Sequence, residues 1–331
     1  MWEGMLDVSL FYPPLSGRLL SRYKDFLSSA DLRDEDDADV VALMTDDDFN
    51  IVACGARAGH TLKQFAVSPD LEGQGVFATV LSELLNEAAR QGLRRLFICT
   101  KPKNAAMFGS MGFYPIVETK DAVLMEDRKN GFSDYLASLP RYAGECGAIV
   151  MNGDPFTRGH LHLCEYAAAH CDALYVFSVS EPGSAFSPDE RFDMLKAGTA
   201  HLLNCHVVHT EEYLVSRETF PAYFIRDEQH ADQVKADLDI ELFRKRIAPA
   251  LHIKKRFVGE EPFSPTTRAY NERMKALLPE SNIELCEIPR LEAISASRVR
   301  KLIEAGRIEE TKELVPETTY AAILRHVSRN A

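Results

Sequence analysis

The run Ala148-Ile149-Val150-Met151 passes directly into Asn152-Gly153-Asp154-Pro155-Phe156-Thr157-Arg158-Gly159-His160, after which Leu161, Cys164, Ala167, Ala168 and Cys171 recur at helical spacing. A short apolar run ended by a polar, glycine-containing loop reads as a buried strand, and the spacing that follows gives a helix one apolar stripe. A strand feeding a helix in this way leaves the helix's N-terminal amides at the carboxyl end of the strand, and the imidazole of His160 with them. That edge is where open α/β sheets bind ligands. Gly159 lets an anion approach the backbone with no side chain in between.

Downstream, strand-like Tyr175 to Val179, His206 to Val208 and Arg256 to Val258 alternate with helical stretches, which predicts a parallel sheet covered on both faces. Near the end comes Ile294-Ser295-Ala296-Ser297-Arg298-Val299-Arg300. Ser295 is a good N-cap, Val299, Leu302 and Ile303 share a face, and Gly306 ends the helix. Capping alone could explain the serines, but Arg298 and Arg300 oppose the dipole at a helix start, and a bound polyphosphate would supply the missing anion. Ser187-Pro188-Asp189-Glu190 is a capping box, so Glu190 reads as structural. The loop Gly259-Glu260-Glu261-Pro262 after a strand suits either adenine or ribose contact or a plain turn. His201, His206 and His209 lack metal-site spacing, and no metal-ligand set is expected.

The first half has its own strand-loop-helix order. Strand-like Asp39 to Met44 and Asn50 to Ala56 flank Asp46-Asp47-Asp48 as a meander. Leu62 to Val67 then leads through Glu72-Gly73-Gln74-Gly75-Val76 into a helix carrying Val80, Leu81, Leu84, Leu85 and Ala88, stopped at Gly92. Gly73 and Gly75 allow a sharp turn whose amides suit a pyrophosphate, and they serve a mere tight turn equally well. Leu96 to Thr100 follows as a strand, then Asn104-Ala105-Ala106-Met107-Phe108 and Met111-Gly112-Phe113-Tyr114.

A chain of 331 residues is long enough for two units. The stretch from Arg128 to Glu145, with Asn130-Gly131, Pro140 and Gly144, lacks strong periodicity and is the expected boundary. The net charge is −12, from 38 Lys and Arg against 50 Asp and Glu, which argues against binding a nucleic-acid backbone. Nine of the carboxylates lie between residues 31 and 48, opposed by Arg33 alone, and read as a solvated loop or hairpin connection. The 7 cysteines contain no C-x-x-C and read as buried thiols in a reducing compartment. With no signal-peptide pattern at the N-terminus and no long apolar run, a cytoplasmic protein that does not engage membranes is expected.

The first half resembles the GNAT acetyltransferase fold, in which a strand, a Q/R-x-x-G-x-G/A loop and a helix, followed by an N-x-x-A...G-F segment, grip coenzyme A. The likeness covers residues 38 to 118 and implies pantetheine binding by Val67, Gly73, Gly75 and Asn104. Glu72 stands where that family prefers Gln or Arg, and Phe77 where it prefers Gly or Ala. A carboxylate beside a pyrophosphate is unfavourable, which points to a pantetheine arm carried by another molecule. The second half resembles the nucleotidyltransferase superfamily, with its G-x-F-D-P-x-[HT]-x-G-H and I-S-S-T-x-x-R motifs. Together the halves are similar to the citrate (pro-3S)-lyase ligase family, also called acetate:SH-citrate lyase ligase. The likeness also runs through Phe65-Ala66-Val67-Ser68-Pro69 and Thr100-Lys101-Pro102-Lys103-Asn104-Ala105-Ala106.

The resemblance implies an α/β protein: a GNAT-like mixed-sheet domain over residues 1–130, a linker over 131–145, and a Rossmann-like, parallel-sheet T-x-G-H nucleotidyltransferase domain over 146–331. It implies activation of acetate by ATP with Mg²⁺ to acetyl-AMP and pyrophosphate. The acetyl group would then pass to the thiol of the phosphoribosyl dephospho-CoA group on the acyl-carrier subunit of citrate lyase. His160, Thr157 and Arg300 take catalytic roles in that reading. The nucleotide is held by Asn152, Gly153, Asp154, Pro155, Phe156, Thr157, Arg158, Gly159, His160, Gly259, Glu260, Ile294, Ser295, Ser297, Arg298 and Arg300. The rival readings are an adenylyltransferase of the pantetheine-phosphate or nicotinamide-mononucleotide type, an autonomous N-acetyltransferase with a nucleotide sensor, and a nucleotide-binding scaffold.

Overall fold

Alternating apolar residues and short turns build a mixed sheet from the first part of the chain, seen in a computed structural model that describes residues 7–179, 183–213, 221, 223–261, 264–291 and 294–330. Its strands are β1 (Val8–Phe11), β2 (Val40–Thr45), β3 (Ile51–Ala58), β4 (Thr61–Val67), β5 (Phe97–Thr100), β6 (Tyr114–Glu118) and β7 (Val123–Glu126), in the order β1-β2-β3-β4-β5-β7-β6. All neighbours are antiparallel except β4 and β5, joined by the crossover helix α2 (Val76–Arg90). Val76, Val80, Leu81, Leu84 and Ala88 of α2 pack on Val40, Ala42, Met44, Leu62 and Ile98, and α3 (Ala105–Ser110) adds Phe108 to that core. Helix α1 (Gly17–Ser29) buries Tyr23 and Leu27 against Val41, Leu43, Cys54, Ala56 and Ala66.

Pairing of β4 with β5 covers only Thr61–Phe97 and Leu62–Ile98, and the strands part beyond it. A bulge in the pairing of β4 with β3 puts Gln64 in the left-handed region at φ 57, a conformation that costs a non-glycine residue roughly 1–2 kcal/mol. Its fully buried side chain answers with three partners: it accepts from the Tyr23 hydroxyl at 3.2 Å and donates to Arg33 O at 2.9 Å and Asp34 Oδ1 at 3.3 Å.

The acidic run differs from the expected solvated connection. Lys63, 1% exposed, is an interior strand residue whose ammonium is neutralised by Asp37 at 2.6 and 2.9 Å and by Glu35. Asp39 accepts from the Gly59 amide at 2.6 Å and from buried Arg57 at 3.4 Å. Only a paired charge is tolerable at such burial, so these carboxylates belong to the fold. Asp46 to Asp48 form the expected exposed turn, with Asp46 Oδ1 accepting the amides of Asp48 and Asn50.

The remaining strands, β8 (Cys146–Met151), β9 (Ala173–Ser178), β10 (Cys205–His209), β11 (Ile253–Gly259) and β12 (Glu284–Ile288), form a second sheet in the order β10-β9-β8-β11-β12, every pair parallel. The chain order reverses at β8, so β8 and β11 diverge in their connections and leave the crevice in which such sheets bind ligands. The helices are α4 (Gly131–Ser138), α5 (Arg158–Ala169), α6 (Pro188–Gly198), α7 (Glu228–Leu242), which runs through a π-turn at Phe243–Ile247 into α8 (Ala248–Ala250), α9 (Pro265–Leu277), α10 (Ala296–Glu304) and α11 (Glu317–Asn330). Ile149, Leu174 and Val176 of the sheet pack with Cys164 and Ala167 of α5, Leu195 of α6 and Val299 and Leu302 of α10.

The division into units departs from the expected 1–130, linker 131–145 and 146–331. One unit comprises residues 1–131 and 219–238, the other 132–218 and 239–331. The expected linker holds α4, whose Phe132, Tyr135 and Leu136 are buried and make it part of the second unit. Residues 223–238 join the first unit because Tyr223, Phe224, Ala231, Val234 and Leu238 bury apolar surface there. Tyr223 O accepts from the Arg33 amide at 2.8 Å, Arg226 pairs with Asp31, and His230 lies 3.7 Å from Asp121. Burial, helped by the nearby Cys99 and Glu35 and only partly offset by a hydrogen bond with the Gln64 backbone, drives the Tyr223 phenol far above its ordinary value, so it stays neutral. The seven cysteines are free thiols. No described helix is long and apolar enough to cross a membrane.

Candidate active site

At the carboxyl end of β8 the chain turns through Gly153, whose φ of 61 suits glycine and whose missing Cβ would lie 3.5 Å from Leu195. Phe156 is fully buried and fixes the loop from below. Thr157 then caps α5: its Oγ1 accepts the His160 amide at 3.3 Å, and its own amide donates to His160 Nδ1 at 3.0 Å. That second bond decides the imidazole tautomer. With Nδ1 accepting, the proton of the neutral ring sits on Nε2. Burial and the nearby Arg290 guanidinium push the imidazole down to about 4, against a smaller upward pull from the Pro155 carbonyl. His160 is therefore a neutral Nε2–H donor at neutral pH.

The serine-arginine turn comes to the same place. A Cβ on Gly159 would stand 3.8 Å from Ile294 Cγ2, and Arg300 reaches back to the Asp154 carbonyl and lies 3.4 Å from its carboxylate. Ser295 caps α10, accepting from the Arg298 amide at 3.2 Å, and Ser297 Oγ is 3.4 Å from Arg300 Nη2. Arg158 opens α5, with its Nη2 3.4 Å from the Lys312 carbonyl, and Arg298 and Arg300 lie in the first turns of α10, where a helix N-terminus favours an anion.

Some expected contacts are spent on the fold. Thr157 is 2% exposed and its hydroxyl is a cap, leaving its surroundings to position any phosphate. Asp154 is buried and its carboxylate accepts the amides of Ala185 at 3.1 Å and Phe186 at 3.0 Å besides fastening Arg300. The Arg158 amide donates to Leu314 O. Asn152 donates to Ser184 Oγ at 3.3 Å. Gly259 ends β11 with open space beside it, and the Glu260 amide is tied to Ile288 O at 2.9 Å; Pro262 of that loop lies outside the described residues.

Arg191 and Arg290 escaped the sequence reading, and Glu261 was read only as part of a strand-end loop. Arg191, fully buried, gathers the carbonyls of Phe186 at 3.1 Å, Asn152 at 3.3 Å and Val179 at 2.9 Å, and so ties the two strand-end loops together. Glu261 and Arg290, just past β11 and β12, form an ion pair at 3.0 and 3.2 Å. Glu190 caps α6 as expected and also accepts from or pairs with His326 of α11 at 3.0 Å. His201 faces Glu165, while His206 stacks on Tyr142 and His209 on Phe192. Among the described residues no group of three or more His, Cys, Asp or Glu is placed to hold a metal ion.

In the first unit, Gly73 and Gly75 have φ of 77 and 82, with open space where each Cβ would be, and Gly75 precedes the first turn of α2. Val67 ends β4 beyond the point where it leaves β5, and Asn104 is held by a 3.2 Å bond to Thr100 Oγ1. Phe77 fills its position as part of an aromatic group with Phe65 at 5.2 Å and Phe108 at 5.4 Å.

A parallel sheet with an imidazole and a serine-arginine turn at its switch point, joined in one chain to a mixed sheet with a glycine loop, defines a nucleotidyltransferase-type unit coupled to an acetyltransferase-type one. Residues 16–114 match the acetyltransferase (GNAT) family, and residues 146–323 match the family described as citrate lyase ligase C-terminal domain. The chain is 40% identical over 312 residues to the citrate (pro-3S)-lyase ligase of Klebsiella pneumoniae, covering 91% of each chain. It is 36% identical over 313 residues to that of Escherichia coli K12, covering 91% of this chain and 89% of the relative. Among solved structures, Thermotoga maritima TmcAL bound with alpha-thio ATP superposes with a TM-score of 0.38 and 14% identity over 56% of each chain. The chain belongs to the citrate lyase ligase family, and it is an enzyme of the ligase class.

Proposed function

We propose that the protein activates acetate with MgATP and then acetylates the thiol of the phosphoribosyl dephospho-CoA group on the acyl-carrier subunit of citrate lyase. The observation that carries this reading is the convergence of His160, Gly159 and the Ile294–Arg300 turn at the switch point of the second sheet, in a member of the citrate lyase ligase family. A carboxylate does not react with a thiol until one oxygen becomes part of a good leaving group, and adenylation supplies that. An acetate oxygen attacks the α-phosphorus as the bond to the bridging oxygen breaks, and pyrophosphate leaves with the electron pair. Acetate is already ionised, so the step needs alignment and charge stabilisation, not a base.

The Nε2–H of His160 is suited to the α-phosphate and its bridging oxygen, and Arg158, Arg298, Arg300 and Ser297 to the outer phosphates. Magnesium would enter with the substrate as MgATP and share the charge of its phosphates, while the Asp154 carboxylate is committed to Arg300 and two amides. In the second step the carrier thiol attacks the acetyl carbonyl, loses its proton and expels AMP. The Gly73 and Gly75 loop and the parted strands β4 and β5 support a pantetheine-holding role for the first unit.

The test is to incubate the protein with ATP, Mg²⁺, radiolabelled acetate and deacetylated citrate lyase. Label on the carrier subunit together with released AMP supports the reading. A stable dinucleotide product would assign the chain to the adenylyltransferases, and labelling that proceeds from acetyl-CoA without ATP would make it an acetyltransferase.

A further inference from the structure

We propose that Arg290 receives the carboxylate of the acid substrate, exchanging Glu261 for it. This rests on the adenylation reading above and names the group that reading lacks: one that holds a second anion beside a triphosphate. The position follows from the strands. Gly259 pairs with Ile288 and the Glu260 amide bonds Ile288 O, so the ends of β11 and β12 stand side by side. Six residues after Ile288 the chain reaches Ile294, which lies against Gly159 at the start of α5. Arg290 lies on this short path, at the same sheet edge as the loop from Asn152 to Thr157, and its guanidinium is close enough to His160 for its field to act on the imidazole.

The pair itself is a template. Arg290 Nη1 bonds both Glu261 oxygens, at 3.2 and 3.0 Å, so a carboxylate already fits against this guanidinium. Glu261 is held in turn by the Ser264 amide at 3.1 Å, and the two side chains are 31% and 18% exposed, partly desolvated yet reachable from solvent. A guanidinium offers parallel N–H donors that match a carboxylate, whereas an ammonium offers a point charge. Other arginines at this edge are differently disposed: Arg300 is fastened to Asp154, buried Arg191 is held by three carbonyls, Arg268 Nε lies on the Glu261 carbonyl at 3.3 Å, and Arg158 and Arg298 belong to the first turns of helices, where phosphate oxygens are favoured. Arg290 beside His160 would place the acetate oxygen next to the α-phosphorus and offset the repulsion between two anions.

The experiment is acetate-dependent ATP–pyrophosphate exchange on the full-length protein, with ATP binding measured separately by calorimetry in the absence of acetate. Exchange in the wild type is the precondition; its absence would refute the adenylation reading itself. For Arg290→Met the acetate KM should rise about 10- to 100-fold, the loss expected for one charge-assisted pair, while the Kd for ATP stays within about threefold. Arg290→Lys, which keeps charge and bulk, should fall between the two and guards against a folding defect in the methionine variant. An acetate KM unchanged in both variants would overturn the inference. So would a parallel weakening of ATP binding, which would assign Arg290 to the phosphates.

Discussion

The double use of His160 separates its two roles by substitution. Nδ1 accepts the Thr157 amide at 3.0 Å and so completes the capping box of α5, while Nε2–H is the edge that the proposed adenylation turns to the nucleotide. Asparagine can keep an acceptor near the Nδ1 position but has nothing at Nε2, whereas alanine has neither. His160→Ala should therefore orphan an amide belonging to a residue only 2% exposed and cost about 1–2 kcal/mol of stability. His160→Asn should cost less than about 0.5 kcal/mol, since the cap survives. Both should lose about 10²-fold or more in acetate-dependent adenylation, the loss typical of one donor to developing charge. Urea unfolding reads the first difference and pyrophosphate release the second. An asparagine variant within about threefold of wild-type turnover would refute the Nε2 assignment. Equal destabilisation of both variants would refute the capping argument.

The imidazole's depressed value makes a pH prediction. Its folded value of about 4 lies below the ordinary 6.5, so its contribution to stability is present above pH 6.5 and is lost as pH falls from there towards 4. Correspondingly kcat/KM for ATP should show no inflection from this group between about pH 5.5 and 7.5, and a titration near 6.5 would contradict its neutrality. Gly198→Ala would bring a Cβ within 2.4 Å of the Phe156 ring, so the loop above must shift; a loss of about 1–3 kcal/mol is expected in thermal unfolding, with slower adenylation, and unchanged unfolding would show room that the packing denies. Gly73→Val forces a β-branched residue to φ 77 and should impair thiol acetylation while sparing pyrophosphate exchange; equal loss of both steps would defeat the separation of roles.

The nucleotide-site elements were legible where their signal was local. The run from Ala148 to Cys171 carries its strand, loop and helix within two dozen residues, and Ser295 with Gly306 bounds α10 at both ends. Helix α4 was missed although Phe132, Tyr135 and Leu136 have helical spacing, because Asn130-Gly131 read as the start of a loop. Leu19, Tyr23, Phe26 and Leu27 gave a similar clue to α1. Other features had no local signal. Lys63 looks like any outward strand residue until Glu35 and Asp37 fold over it. Arg290 is a lone cation after an edge strand, and its meaning comes from β11 and α5, which are distant in sequence. Nothing within residues 223–238 says which sheet they will cover.

That last segment sets the order in which the protein can mature during synthesis. The amino-terminal mixed sheet is translated by residue 131, yet its cover of Tyr223, Phe224, Val234 and Leu238 is made only after β8, β9 and β10. Cleavage of a single peptide bond near residue 131 therefore yields no pair of self-sufficient halves: one fragment lacks its lining and the other carries apolar side chains with nowhere to bury. Interleaving of this kind means that a cut in the chain near residue 131 does not separate the two units.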